Sequence, residues 1–217
     1  MSLSWTRPSS VDRLLADLRR YIRDERVLAA IAAVPRELFV APELRSRAWQ
    51  NSPLPIGNGQ TISQPLVVAR MCEALELSGD ERILDVGTGS GYHAAVLARL
   101  GRSVVSVERD PALSELARLN LAAARTEDVT LVVGDGSQGH SERMPYDAIN
   151  VAAAARGGLP RALLEQLAPG GRLIAPVDDG GQRLTLVHAG ETGLRYSDLG
   201  PVRFVPLRAD PTDRPRP

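Results

Sequence analysis

The stretch "RILDVGTGSGYHAAVLA", Arg82 to Ala98, decides the fold. It begins as a short apolar run of strand character, passes through glycines at 87, 89 and 91, and continues as an amphipathic helix that stops at Gly101. Strand, glycine loop and helix in that order make a ligand cradle. Glycine lets the backbone turn tightly and lets a ligand approach where a Cβ would obstruct it, and the helix start presents free N–H groups.

The glycine spacing narrows the ligand class. A dinucleotide loop reads G-x-G-x-x-G, so that the helix N-terminus faces a pyrophosphate. Here Tyr92 stands where the third glycine would fall. The tighter G-x-G-x-G of Gly87, Gly89 and Gly91, preceded by Asp85, suits a ligand that lacks a phosphate and carries a cationic amino-acid end. S-adenosylmethionine, with an ammonium and a sulfonium, is such a ligand, and a carboxylate at Asp85 helps to balance it. The next strand, "SVVSVE", ends on Glu108, where a carboxylate can accept both hydroxyls of a ribose. A third strand ends in "GDG", Gly134 to Gly136, so Asp135 can meet the adenine amino group while Gly136 admits the ring. The alternative reading of each acid is a cap on the helix that follows it.

Outward from this loop, apolar strand runs alternate with helical patterns. "DPALSELARLNLAAA" reads as a helix capped by Asp110 with Pro111 in its first turn. "VTLVVGDG", "YDAINVAAAA" and "GRLIAPV" read as strands, the last two separated by the helix "PRALLEQLAPG". Continuous apolar strands alternating with helices predict an α/β fold, with a mostly parallel sheet covered on both faces. "RLTLVHAG", "LRYSDLG" and "VRFVPL" have no helices between them and predict an antiparallel C-terminal edge. Before the loop, "SVDRLLADLRRYI" and "DERVLAAIAAV" carry helical periodicity, with Val11, Leu14, Leu15, Leu18 and Ile22 on one face. "QPLVVARMCEALEL" reads as a further helix with Pro65 in its first turn. The expected organisation is one domain over 1–217: an N-terminal helical extension (1–52), a substrate loop and cofactor-binding core (53–207), and a frayed Pro-rich tail (208–217).

Composition excludes several function classes. Lys+Arg and Asp+Glu each total 26, so formal net charge is zero, which argues against electrostatic attachment to nucleic acid or an anionic membrane. No apolar run approaches the ~18 residues that span a bilayer, and the first twenty residues hold no signal-peptide core, so a cytoplasmic protein is expected. Cys72 is the single cysteine and falls in a helical pattern, where it reads as a small buried residue rather than a reactive thiol. His93, His140 and His188 have no metal-ligand spacing, and no metal is expected.

A remaining segment, "PLPIGNGQTISQP" (Pro53 to Pro65), is uncharged and restrained by three prolines and two glycines. Together with "VPRELFV", "ILDVGTGSGYHAAVLA", "VVSVERDP", "VVGDG", "PYDAINVAAA", "LLEQLAPGGRLIAPV" and "VRFVPL", it resembles the protein-L-isoaspartate (D-aspartate) O-methyltransferase family, in order and spacing, over about residues 34 to 207. The glycine loop alone is shared by all Rossmann-like class I S-adenosylmethionine-dependent methyltransferases; the "PIGNGQTISQP" segment is more specific. The resemblance implies methylation of the free α-carboxylate of L-isoaspartyl residues in damaged peptides and proteins. The ester then closes to a succinimide that reopens partly to aspartate. It also implies catalytic roles for Ser63 and Thr61, substrate binding by Ile56, Gln60, Thr61, Ser63 and Val205, and cofactor binding by Asp85, Gly87, Thr88, Gly89, Gly91, Glu108, Arg109, Asp135 and Gly136. A monomer is the family expectation. The chemistry fits these residue types. A carboxylate is already anionic at neutral pH and needs no general base, so what remains is to desolvate it and hold it in line with the methyl donor. The bland reading of Ser63 is a cap for the helix beginning at Pro65.

Trp49, Asn51, Ala152, Arg156 and Asp178 depart from the family pattern, and there is one extra residue before Pro160. These departures bear on substrate identity more than on reaction type. They leave room for a relative dedicated to one ribosomally made peptide, in which an ordinary aspartate is methylated to form an aspartimide.

Overall fold

The computed structural model describes residues 9–208. The tail expected to fray lies, from residue 209 onward, outside the described residues. Two helices, α1 (Ser10–Leu18) and α2 (Glu25–Ala33), come first. Ser9 caps α1 in a capping box with Asp12, and the Asp24 side chain caps α2. A two-stranded hairpin, β1 (Leu54–Gly57) and β2 (Gln60–Ile62), leads into α3 (Pro65–Leu75). The remaining elements are β3 (Arg82–Val86), α4 (Tyr92–Leu97), β4 (Ser103–Glu108), α5 (Pro111–Ala123), β5 (Val129–Val133), β6 (Tyr146–Val151), β7 (Ala155–Arg156), α6 (Arg161–Glu165), β8 (Leu167–Asp178), β9 (Gln182–Gly190) and β10 (Gly193–Pro201).

The main sheet runs β10-β9-β8-β6-β3-β4-β5, with the short β7 beside β8. Neighbours from β8 through β5 are parallel, and β9 and β10 pair antiparallel to complete the C-terminal edge. The chain winds outward from β3 through β4 to β5, then crosses back to β6. That reversal opens a crevice at the carboxyl end of β3, where open α/β sheets bind their ligands. Strand alternation divides the core into two layers. Ile83 packs with α1–α4 on one face of the sheet, while Leu84 and Val86 pack with Tyr146, Ile149, Leu163 and Leu173 on the other.

Two predicted elements differ from the structure. The helix "PRALLEQLAPG" stops at Glu165, because Leu167 already pairs with Tyr146 and strand β8 absorbs the Ala-Pro-Gly-Gly that follows. A Cβ at Gly171 would come within 2.9 Å of the Ala168 and Asp147 carbonyls, a close approach that only glycine permits. "VRFVPL" makes no ladder. Pro206 has no N–H, and the segment is tied down by one bridge to Ala154 and by the bonds Ala154 N–H to Val205 O and Leu207 N–H to Ala154 O, both 2.8 Å. The uncharged "PIGNGQ" segment folds as a hairpin whose tip needs positive φ at three consecutive residues, Gly57 (96°), Asn58 (49°) and Gly59 (69°), which explains the Gly-Asn-Gly.

Candidate active site

A cavity of about 370 Å³ lies over the carboxyl ends of β3 and β4. The hairpin supplies one wall through Asn58, Gln60, Thr61 and Ser63. Gly87, Thr88 and Gly89 form the floor, and Glu108 to Pro111 form the opposite wall. Val205 to Arg208 make the rim, so the segment that failed to become a strand is placed to meet a ligand instead.

The glycine loop is held by one bond of its own, Gly91 N–H to Thr88 O at 2.8 Å, and by its neighbours. Gly89 N–H donates to Glu108 Oε2 at 2.9 Å, and Asp110 N–H donates to Glu108 Oε1 at 3.1 Å. Each carboxylate oxygen retains a lone pair for a ligand hydroxyl. A Cβ at Gly89 would press on Ile56 Cδ1 at 3.2 Å, and one at Gly136 would strike Val86 Cγ1 at 2.5 Å. Gly136 is held to glycine by Val86, and Gly89 sits at φ 54°, where glycine is favoured. Gly91 serves packing: it caps α4 at φ 90° with Ala117 and Leu121 against it. Ile56 likewise backs the loop from the hairpin without reaching the cavity wall.

Asp85 is fully buried and lies behind the floor. Its Oδ2 accepts from Ser106 Oγ at 2.7 Å, and Ser106 Oγ is 2.6 Å from Thr88 Oγ1 on the cavity wall. Its Oδ1 accepts from Asn150 Nδ2 at 2.7 Å, and the same nitrogen lies 3.3 Å from His93 Nδ1. Burial raises the Asp85 carboxyl to about 6 despite those two hydrogen bonds. Burial also pushes His93 down to about 3, so its imidazole is neutral. With Nδ1 facing an amide N–H, the ring proton belongs on Nε2, 3.6 Å from Cys72 Sγ. The Cys72 thiol is buried, and its pKa is raised by desolvation, as expected of an inert cysteine. The structure therefore adds His93 and Asn150 to the acids and glycines legible in the sequence. Both lie in stretches that resemble the family, yet no local pattern gives them a role; the β3–β6 register, Asp85 opposite Asn150, brings them together.

Asp135 fits the capping alternative through one of its oxygens. Its Oδ1 accepts from Ser137 N at 2.9 Å and Ser137 Oγ at 2.8 Å, closing the turn Gly136–Gln138, and Gly136 rather than Asp135 lines the cavity. Arg109 lines the cavity and donates from Nη1 to the Arg208 carbonyl at 2.6 Å, fastening the rim. Across the mouth, Asn58 Nδ2 donates to Asp110 Oδ2 at 2.7 Å, joining the hairpin tip to the cap of α5. If that bond holds the hairpin over a ligand, Asn58→Ala should speed dissociation of S-adenosylhomocysteine about fivefold in stopped-flow fluorescence, corresponding to one exposed hydrogen bond. An unchanged rate would remove the hairpin tip from the exchange path.

Ser63 does not cap α3. The cap residue is Gln64, which makes no side-chain cap bond, and the N–H of Leu66 is taken by Asn51 Oδ1 at 3.0 Å. The departure at 51 thus keeps a capping acceptor. Ser63 itself lines the cavity. Among the described residues no group of three or more His, Cys, Asp or Glu could hold a metal, and no helix is long and apolar enough to cross a membrane.

The profile of the protein-L-isoaspartate (D-aspartate) O-methyltransferase family matches residues 9–211. The chain belongs to this family. Similar proteins named protein-L-isoaspartate O-methyltransferase include one from Methanothrix thermoacetophila, 50% identical over 199 residues, covering 90% of this chain and 93% of the relative. Another, from Halorhodospira halophila, is 51% identical over 209 residues, covering 95% and 93%. A solved protein-L-isoaspartate O-methyltransferase superposes with a TM-score of 0.82 at 30% identity, over 90% of this chain and 65% of that one. A second, from Plasmodium falciparum and crystallised with S-adenosyl-L-homocysteine, gives 0.80 at 26% identity over 94% and 100%. Against the family pattern, two departures meet in space: Arg156 of β7 and Asp178 of β8 are register partners. Ala152 stands on the cavity wall, its N–H bonded to the Val86 carbonyl at 2.8 Å. Trp49 packs against the α1–α4 side of the core, away from the lining residues.

Proposed function

We infer that the protein uses S-adenosylmethionine to methylate the α-carboxylate of L-isoaspartyl residues in peptides and proteins, initiating their return through a succinimide to aspartate. The observation that carries this reading is the pairing of two unlike walls: a glycine floor with an acidic neighbour, and facing it the uncharged Thr61 and Ser63 hydroxyls. The first suits the cofactor. The second suits an anionic acceptor.

Gly87, Thr88, Gly89 and Gly136 leave space for the cofactor, Glu108 offers two carboxylate oxygens to its ribose, and Asp85 balances its ammonium from beneath the floor. When bound, it supplies an electrophilic methyl on a sulfonium. Thr61 and Ser63 hold the acceptor by hydroxyls, which orient a carboxylate without pairing off its charge. The chain contains no lysine. The prolines and positive-φ glycines of the hairpin keep this wall fixed, so little ordering remains to be done when the acceptor arrives. Ile56 supports it from behind, and Gln60 and Val205 border the acceptor's path. The expected partner is a peptide or protein bearing isoaspartate; a monomeric, cytoplasmic enzyme organised as one domain accords with this reading. The test is chemical. Label transferred from methyl-labelled S-adenosylmethionine to an isoaspartyl peptide should be released as methanol by mild base, and base-stable label would contradict carboxyl methylation.

Asp85 gives the reaction a pH signature. Its carboxyl rises from an ordinary 3.8 to about 6 in the fold, so the folded state binds a proton more tightly than the unfolded. The associated stability is fully present below pH 3.8 and is lost as pH rises through 6, a change of about 3 kcal/mol at most. An ammonium binding nearby favours the ionised form. Affinity for S-adenosylhomocysteine should therefore increase as pH rises through 6, with proton release, and flatten above. Calorimetry in two buffers measures both. In Asp85→Asn the dependence should vanish; a wild-type profile flat from pH 5 to 7 would contradict the role given to Asp85.

A further inference from the structure

Arg36 lies in "VPRELF", at the start of the 3-10 turn Arg36–Phe39, and its side chain is wholly buried. Buried arginines ordinarily have a carboxylate partner. Among the described residues none pairs with Arg36; burial lowers its pKa, while a guanidinium keeps its proton in proteins. Instead the guanidinium is surrounded by main-chain carbonyls and a ring. Nε donates to Ala48 O at 2.8 Å, and Nη2 donates to Ser63 O at 2.9 Å and more weakly to Ser52 O at 3.4 Å. Its Cζ stands 4.8 Å above the centroid of Tyr92, which itself lines the cavity. Nη1 and the Tyr92 hydroxyl are both buried and make no regular hydrogen bond, though the phenol beside the guanidinium opposes the lowering of its pKa.

This arrangement is costly to maintain for packing alone. An apolar side chain of similar volume would avoid desolvating a cation and leaving one of its donors unpaired. What the arginine fork accomplishes is to bind three main-chain points, 48 and 52 before the hairpin and 63 after it, at once. It also places a full positive charge, in a water-poor environment, directly behind Ser63. Resting on the reading that Ser63 meets an acceptor carboxylate, we propose that Arg36 is a positioning residue for methyl transfer: its fork sets the Ser63 main chain against the Tyr92 ring, and its unpaired charge favours an anion on the other side of that wall.

The role is separable from cofactor binding, because the glycine floor and Glu108 are held by other bonds. In Arg36→Lys the charge survives, while a single ammonium cannot span three carbonyls. Turnover of an isoaspartyl peptide should fall about 30-fold, mostly in kcat, since the acceptor is misaligned rather than merely unbound. The dissociation constant of S-adenosylhomocysteine should stay within about twofold of wild type. Arg36→Gln, which can still donate to the Ser63 carbonyl and removes the desolvation cost, should keep KM higher than Arg36→Lys does, through loss of the charge. Turnover within threefold of wild type in Arg36→Lys overturns the proposal, as does an equal loss of turnover and cofactor affinity. Failure of both variants to fold, by loss of a cooperative thermal transition, assigns Arg36 to structure alone and likewise overturns it. Methylation by the wild-type protein is scored separately, so an inactive wild type rejects the proposed reaction and not the role of Arg36 within it.

Discussion

Glu108→Ala should weaken S-adenosylhomocysteine binding at least 100-fold, measured by calorimetry at pH 7.5. The estimate has two parts. Hydrogen bonds to an ionised carboxylate contribute roughly 1.5–3 kcal/mol each, and two ribose hydroxyls can use the carboxylate's remaining lone pairs. The same oxygens accept the N–H groups of Gly89 and Asp110, so the substitution also releases the glycine loop and unties the start of α5. Glu108→Gln keeps the volume and one acceptor oxygen, and should lose less, about tenfold. If both substitutions left affinity within threefold of wild type, Glu108 would be a loop brace only and the cofactor site would have to be redrawn.

The second large effect should appear in catalysis and leave cofactor binding nearly intact. Ser63→Ala removes a hydroxyl that makes no helix-cap bond, because Asn51 serves α3 in its place. Little stability should be lost for that reason. In turnover of an isoaspartyl peptide the expected fall is about 10- to 100-fold, corresponding to one charge-assisted hydrogen bond on the acceptor carboxylate. Asp85→Ala should show the opposite division, because it removes charge balance from beneath the floor and leaves the Ser106 and Asn150 donors without their acceptor. Equal loss of turnover and cofactor affinity in Ser63→Ala would contradict the assignment of the two walls.

How much of this was legible in the sequence follows from the range of the interactions. Strand, loop and helix around Gly87 to Gly91 are set by local backbone demands and apolar alternation, and they were readable directly. So was the cap Asp110 on α5, which accepts from Ala112 N at 2.9 Å. The end of α6 was misplaced because the pairing of Leu167 with Tyr146 is a tertiary demand that overrode a helical pattern. "VRFVPL" read as a strand because alternation describes an extended chain without saying whether a neighbour is present to pair with it. At the site, Glu108, Gly87, Gly89 and Gly136 line the cavity, whereas Gly91 packs behind it, Asp85 is bonded to Ser106 and Asn150, and Asp135 accepts from Ser137. Arg36, His93 and Asn150 lie in stretches that resemble the family, but no local pattern assigns them a role. Each becomes informative only when the fold sets it beside partners 27, 57 and 65 residues away.

Of the departures, Ala152 stands on the cavity wall beside Gly87, whereas Arg156 and Asp178 are register partners outside the lining. The family assignment and the intact Thr61–Ser63 wall favour general isoaspartyl repair. The most direct test is a paired assay in which one short peptide is made twice, with L-isoaspartate and with ordinary L-aspartate at the same position, and each is incubated with the enzyme and methyl-labelled S-adenosylmethionine. The predicted result is base-labile label on the isoaspartyl peptide and none on its twin. Label on the aspartyl peptide, or on neither while S-adenosylhomocysteine binds normally, would contradict the account.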